Sequence, residues 1–186
     1  CMTLNLKAPE GKEIFMKLAA GADVVVENYR PDVKNRLGID YKSLRAVNKG
    51  IVLGSISGFG QDGPYANRPG FDQIAQGMGG LMSVTGLPGQ GPVRAGFAIT
   101  DTCAGLFCSM GIMAALLERE VSGEGQWVDS SLLAASIAIL DFQAARWTVD
   151  AAVSYTHLTL PTHHTVYISR VAGHSTNNKE HTTQGD

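Results

Sequence analysis

The feature that most constrains the fold of this chain is a set of short apolar runs, mostly of β-branched residues, that alternate with helical segments. Residues 23–27 read Asp-Val-Val-Val-Glu, and residues 51–56 form a second apolar run. Continuous runs of this length are typical of strands that a parallel sheet buries on both faces. Helical patterns separate and follow the runs. We therefore predict an α/β fold with an open, mostly parallel sheet and flanking helices.

Turn and capping residues place the remaining elements, because proline favours the first turn of a helix and glycine the position after its last turn. We predict a helix from Pro9 that stops at Gly21, with Ile14, Phe15, Leu18 and Ala19 on one buried face. The other predicted elements are strands over residues 2–6 and 126–128 and helices over residues 31–37, 41–47, 71–84, 100–118 and from Ser130 or Ser131 to Arg146.

The domain organisation follows from a change of composition near residue 150. We interpret residues 1–150 as part of one domain and residues 151–186 as a non-native or disordered tail. Residues 153–162 lack any helical or strand period and resemble a translated sequencing adapter. Because the chain opens at Cys1 within an apolar pattern, we expect it to be a fragment cut inside a domain.

Charge and hydropathy limit the partners. A formal net charge of −2 gives no overall attraction to nucleic acid. No uninterrupted apolar run reaches the roughly 20 residues that a membrane span needs, and no signal-peptide pattern is found. We therefore expect a cytoplasmic protein that binds neither nucleic acid nor a membrane.

Metal and histidine chemistry are not predicted either. The three cysteines form no metal-binding pattern, and every histidine lies in the suspected tail: His157, His163, His164, His174 and His181. We expect no metal, so carboxylate, thiol and backbone groups remain for chemistry.

A glycine motif after the second strand suggests a nucleotide site but lacks its context. Residues 58–63 match the G-x-G-x-x-G pattern of dinucleotide-binding folds. In those folds the motif opens a helix, whereas here Pro64 follows directly and a second proline lies at position 69. We therefore predict a shaped surface loop rather than a pyrophosphate cradle.

Asp101 is the candidate catalytic residue. It lies where a glycine-containing segment enters the long apolar helix. Aspartate at such a position commonly caps the helix. However, Thr100 and Thr102 could also cap it, and a carboxylate at the positive end of a helix stays ionised and available as a nucleophile. Both interpretations of Asp101 remain open from the residues alone.

Basic residues cluster after the predicted strands. Lys7 follows the first strand, and Arg30, Lys34 and Arg36 follow the second, while Arg68 lies in the later loop. Residues just beyond parallel strands face one crevice, so these cations could meet one anionic ligand. Arginine recognises phosphate with a bidentate fork, although each cation taken singly could be a solvated surface charge.

Three stretches carry a resemblance to a known family. They are residues 24–38 (Val-Val-Val-Glu-Asn-Tyr-Arg-Pro…Arg-Leu-Gly), residues 57–72 (Ser-Gly-Phe-Gly…Gly-Pro-Tyr…Pro-Gly-Phe-Asp) and residues 101–129 (Asp…Gly-Glu-Gly-Gln…Val-Asp). Together they resemble the class III CoA-transferases, the family of formyl-CoA transferase, carnitine CoA-transferase and α-methylacyl-CoA racemase. The resemblance implies the Rossmann-like large domain of that family, here incomplete, and a homodimer when the chain is intact.

The resemblance also implies a function. An acyl-CoA donor and a small carboxylic acid would be the substrates, and Asp101 would form an aspartyl anhydride and then an aspartyl-CoA thioester. No cofactor beyond the CoA thioester is implied. The positions that match the family's CoA contacts are Leu4, Lys7, Asn28, Tyr29, Arg30, Arg36, Arg68 and Phe71.

Departures from the family pattern leave alternatives. The racemase branch carries a catalytic histidine where this chain has Phe71. Because racemisation needs an acid–base pair, transfer is favoured over a racemase or epimerase that uses Asp101 as a base. A non-catalytic CoA-binding fragment is the other alternative. Segments that complete the site in the transferases are missing, so we expect the fragment itself to be inactive.

Overall fold

The computed structural model describes residues 2–87 and 89–150, apart from the side chains of Trp147 and Asp150. Its elements, in chain order, are α1 (Pro9–Ala20), β1 (Val24–Glu27), α2 (Pro31–Leu37), α3 (Tyr41–Val47), β2 (Val52–Ser57), α4 (Asp72–Met78), a 3₁₀ helix (Leu81–Val84), α5 (Ile99–Ser122), β3 (Trp127–Ser131), α6 (Leu132–Ala138) and α7 (Phe142–Asp150). The predicted tail at residues 151–186 lies outside the described residues.

The three strands form one parallel sheet in the order β1-β2-β3. Leu53 of the central strand pairs with Val25 on one side and with Trp127 on the other. Val52 and Leu53 are fully buried, as expected for a central strand covered on both faces. The α/β fold predicted from the alternating pattern is confirmed.

Helices cover both faces of this sheet. Successive strand residues point to opposite faces, and Leu53 packs with Ala19 and Leu44 of α1 and α3. Gly54 faces α5, where an added Cβ would lie 2.7 Å from Ile112 Cδ1 and 3.0 Å from Cys108 Sγ. Glycine is therefore required on β2 for α5 to approach the sheet closely. A second apolar cluster joins α4, α5 and α6 through Ala75, Ala104, Leu132 and Ala135.

Several local predictions are wrong. Residues 2–6 form no strand within the described part of the chain; instead the carbonyl of Asn5 accepts from the N–H of Ala8 in a turn. On α1, Ile14 and Leu18 are 42% and 52% exposed, so the predicted buried face is only partly buried. The spacing of apolar residues along α1 predicts which side of the helix faces the core, but not how much of that side the neighbouring elements cover.

Two predicted helices are interrupted by backbone with positive φ. The helix expected over residues 71–84 divides into α4 and the 3₁₀ helix because Gly80 adopts a φ of 89°. The helix expected from Ser131 to Arg146 divides into α6 and α7 at Asp141, whose φ is 48°. The hydroxyl of Ser131 accepts from the N–H of Ala134, so the predicted cap itself is confirmed.

Helix α5 is longer than predicted, since it spans Ile99–Ser122 rather than residues 100–118. Its length and a mean hydropathy of 1.5 would suffice to cross a membrane, although Asp101 lies near its start and Glu118, Arg119 and Glu120 lie near its end. Core helices of soluble proteins reach the same length and hydropathy. One side packs on the sheet, while the other exposes Leu106, Phe107, Met110, Met113, Leu117 and Val121.

Candidate functional site

The carboxyl ends of β1 and β2 carry the segments that form a small groove. Asn28 to Arg30 follow β1, and the loop from Gly58 to Phe71 follows β2. A groove of about 210 Å³ lies between them, and five of the predicted contact residues line it: Asn28, Tyr29, Arg30, Arg68 and Phe71. The two ends of the loop meet closely, since a Cβ on Gly58 would lie 2.5 Å from Gly70 Cα.

A larger groove of about 800 Å³ continues from Tyr29. Leu4, Lys7 and Arg36, the other predicted contact residues, line it, as does Lys12. Sequence reasoning missed Lys12, which lies on the first turns of α1 with its Nζ against Gly38. The residues that line this groove include three cations and no carboxylate, so the groove suits an anionic ligand.

Arg30 and Arg36 share one carboxylate. Arg30 Nε lies 3.2 Å from Asp32 Oδ1, and Arg36 Nη2 lies 3.3 Å from Asp32 Oδ2. The hydrogen bond from Arg30 lowers the pKa of Asp32, and the charges of Arg30 and Arg36 add to this against a smaller opposing effect of burial. The side chains of Arg30 and Arg36 remain largely exposed. The ion pairs with Asp32 therefore orient both guanidinium groups and leave them accessible to a ligand.

Lys34, by contrast, cannot contact a bound anion at the surface. Its side chain is only 2% exposed and lies 3.4 Å from Glu27 Oε1. Its ammonium also donates to Gln61 Oε1 and lies 5.2 Å from the centroid of the Trp127 ring. The interpretation of Lys34 as part of a phosphate-binding cluster is therefore wrong: it is a buried cation beneath the loop.

Aromatic side chains fix the position of Arg68. Its guanidinium lies 4.5 Å from the centroid of the Tyr65 ring, and that ring packs against Phe59 at a centroid distance of 5.6 Å. A guanidinium stacked on an aromatic ring loses little freedom on meeting a ligand. The loop thus presents one pre-positioned cation to the small groove.

Asp101 is exposed in the first turn of α5 and does not cap it. The cap residue is Ala98, which makes no side-chain hydrogen bond. Asp72 of α4 supplies the acceptor instead: its Oδ1 receives the backbone N–H of Thr100 at 2.8 Å and the Thr100 hydroxyl at 2.7 Å. The interpretation of Asp101 as a helix cap is therefore wrong, and its carboxylate is available for chemistry.

The electrostatics of the two carboxylates differ. Burial, and then the neighbouring Asp72, raise the pKa of Asp101. For Asp72, burial acts to raise the pKa, but hydrogen bonds from Thr100 and Gln76 outweigh it and lower the pKa. Sequence reasoning did not identify Asp72, because the contact that reveals its role joins residues 28 positions apart.

Residues 71–72 connect Asp101 to the small groove. Phe71 lines the groove, and the next residue, Asp72, binds the start of α5. Phe71, one of the predicted contact residues, is therefore linked through Asp72 to the helix start that carries Asp101. Within residues 2–87 and 89–150, no group of three or more His, Cys, Asp or Glu side chains could hold a metal ion.

A known protein family matches most of this chain. The sequence model of the family described as CoA-transferase family III matches residues 1–167. The succinate–glutarate CoA-transferase of Agrobacterium fabrum is 43% identical over 146 residues, which are 78% of this chain and 36% of that protein. The acetyl-CoA:oxalate CoA-transferase of Acetobacter aceti is 40% identical over 148 residues, which are 79% of this chain and 38% of that protein.

A solved structure shows the same fold. The CaiB/BaiF family protein from Brucella suis superposes with a TM-score of 0.78 at 38% identity, covering 81% of this chain and 40% of the other. The chain therefore spans between about a third and two fifths of the length of these relatives. A family match over most of the residues, together with the shared fold, leads to one conclusion: the chain belongs to CoA-transferase family III.

Proposed function

We propose that the protein transfers CoA from an acyl-CoA to a carboxylic acid, with Asp101 as the nucleophile. The observation that carries the proposal is that Asp101 lies at the start of α5 without capping it. Asp72, which binds this helix start, directly follows Phe71, and Phe71 lines a groove with Arg30 and Arg68. A carboxylate that makes no capping hydrogen bond is free to attack a thioester. The named relatives, which transfer CoA between acids, support the reaction class.

The grooves would bind the CoA portion of the substrate. Lys7, Lys12 and Arg36 line the larger groove and would neutralise phosphate groups, as Arg30 and Arg68 would in the smaller one. Tyr29 lines both grooves, so one extended ligand could run from one to the other. Phe71 would place the thioester end beside Asp101.

The chemistry then needs four balanced steps. A carboxylate oxygen of Asp101 attacks the thioester carbon, the C–S bond breaks, and CoA leaves as the thiolate with a mixed anhydride left on Asp101. The thiolate attacks the aspartyl carbonyl and releases the donor acid, giving the aspartyl-CoA thioester. The acceptor carboxylate attacks that thioester and expels CoA thiolate again. Attack of the thiolate on the acceptor carbonyl forms the new acyl-CoA and frees Asp101.

Trapping of the intermediate tests the proposal. A protein that carries this sequence at the full length of its relatives is incubated with succinyl-CoA, quenched with hydroxylamine and mapped by mass spectrometry. We expect Asp101 to become the hydroxamate in the wild type and no label to form in D101N. E120Q is the matched control, because Glu120 is an exposed carboxylate on the same helix. CoA binding without any label on Asp101 would refute the nucleophilic role.

A further inference from the structure

The start of α5 is held by a network that reaches it from another helix. Asp72 Oδ2 accepts a hydrogen bond of 2.6 Å from Gln76 Nε2, and Oδ1 accepts from both the N–H and the hydroxyl of Thr100. Gln76 and Thr100 are fully buried. These hydrogen bonds all end on the carboxylate of Asp72, and they fix its position relative to the start of α5, where Asp101 lies.

The same network orders the segment that leads into α5. Gln76 Oε1 accepts the N–H of Ala95 at 2.8 Å, and Gln76 Nε2 reaches the carbonyl of Phe97 at 3.3 Å. Gln76 thus connects Asp72 with residues on the approach to Asp101. A change at Asp72 would be transmitted to the backbone that carries the nucleophile.

Few other charges reach this end of α5. From α4 the facing groups are Asp72 and the neutral Gln76, and from the β3–α6 side the Ser130 hydroxyl donates to the carbonyl of Ala104. Arg94 is exposed on the preceding segment, and Cys103 is half-buried on α5 itself. Burial first, and then the charge of Asp72, raise the pKa of Asp101.

A fixed negative charge beside Asp101 has a specific chemical consequence. Repulsion between two carboxylates disappears when one of them loses its charge, whether by protonation or by acylation. The anhydride and the aspartyl thioester are both neutral at the aspartyl carbonyl. A neighbouring anion therefore disfavours free Asp101 relative to both covalent forms and makes its carboxylate a stronger nucleophile.

We propose that Asp72 is a positioning residue for CoA transfer at Asp101. Asp72 caps α5 from α4, and its negative charge favours the acylated form of Asp101 over the free carboxylate. The inference rests on the proposed function. It adds a second carboxylate whose role is not to react but to hold the first and to raise its reactivity.

The test compares D72N with T100V in the full-length protein. Asparagine can still accept from the Thr100 N–H through its one oxygen, so D72N removes the charge and keeps the shape, but its amide nitrogen no longer accepts from Gln76. T100V removes the hydroxyl contact but leaves the charge. Single-turnover acylation of Asp101 by succinyl-CoA is measured across pH, together with KM for succinyl-CoA.

For D72N we expect acylation to slow severalfold, because the carboxylate of Asp101 becomes less basic and so a weaker nucleophile, while KM changes less than about twofold. The pH midpoint of acylation should move downward, because removal of the repelling charge lowers the pKa of Asp101. T100V should leave that midpoint in place. An unchanged midpoint and rate in D72N, or an equal shift in T100V, would overturn the inference.

The two proposals fail in different ways. If the wild type never labels Asp101, the transferase proposal fails whatever D72N does. If the wild type labels normally and D72N labels at the same rate and with the same pH dependence, the proposed function stands and the role of Asp72 is refuted.

Discussion

Removal of the buried cation Lys34 should destabilise the fold strongly. Lys34 connects α2 to the end of β1, the loop after β2 and the ring of Trp127 on β3. Substitution by methionine keeps most of the aliphatic stem but removes the ammonium. Glu27, whose side chain is 4% exposed, would then remain buried without its cation.

The magnitude follows from the burial of both partners. Removal of one member of a buried ion pair costs about 3–5 kcal/mol, because the remaining charge has lost its water and its partner. The N–H of Tyr29 still donates to Glu27 Oε2 at 2.7 Å, which favours the lower end of that range. We expect K34M to lose about 3 kcal/mol of unfolding free energy. At ~2–4 °C per kcal/mol for a domain of this size, Tm should fall by about 6–12 °C.

Denaturant and thermal unfolding of this chain measure the effect. E27Q/K34M should recover at least about half of the loss, since the double variant buries no unpaired charge. K17M is the matched control: Lys17 lies 2.7 Å from Glu13, but both side chains are mostly exposed, so its loss should be under about 1 kcal/mol. If K34M unfolds like K17M, or if E27Q/K34M is no more stable than K34M, the reasoning is refuted.

Two further predictions concern α5 and the larger groove. A Cβ on Gly111 would lie 2.7 Å from Val128 Cγ1, so G111A should lower the free energy of unfolding by about 1–3 kcal/mol. Nothing lies within 4 Å of a Cβ on Gly105, so G105A should raise the free energy of unfolding by about 0.5–1 kcal/mol. Urea unfolding tests this pair, and equal effects would contradict the packing of α5 on β3. K12M should weaken CoA binding about three- to tenfold at low salt and less at high salt, whereas K17M on the same helix should leave the affinity unchanged. Calorimetric titration of the full-length protein with CoA measures both affinities. Equal affinities of K12M and K17M would show that Lys12 does not contact CoA.

Local residue patterns anticipated the elements well where one strong signal marks each end. The bounds of α3 agree with the prediction, and its cap, Asp40, accepts from the N–H of Ser43 at 3.1 Å. Gly38 ends α2 in the left-handed conformation that favours glycine. The apolar runs also indicated parallel strands correctly. Burial on both faces holds for β2, whereas on β1 Val26 is 58% exposed, so that part of the prediction is wrong.

The breaks within helices were less predictable. Gly80 and Asp141 end helical segments whose apolar pattern continues beyond them, so period alone favoured longer helices. The supposed first strand failed for a related reason: alternation over residues 2–6 permits a strand, but a strand also needs a neighbour with which to pair.

The sequence by itself determined the fold class, the resemblance to CoA-transferases and the candidate nucleophile, because strand and helix periods and short motifs are local properties of the chain. Only the tertiary structure decided what the charged residues do. It turned Lys34 inward against Glu27, placed Lys12 in the larger groove and set Asp72 against Thr100. Each of these results depends on contacts between segments distant in the chain. The identity of a charged residue does not reveal whether water, a ligand or another side chain will face it.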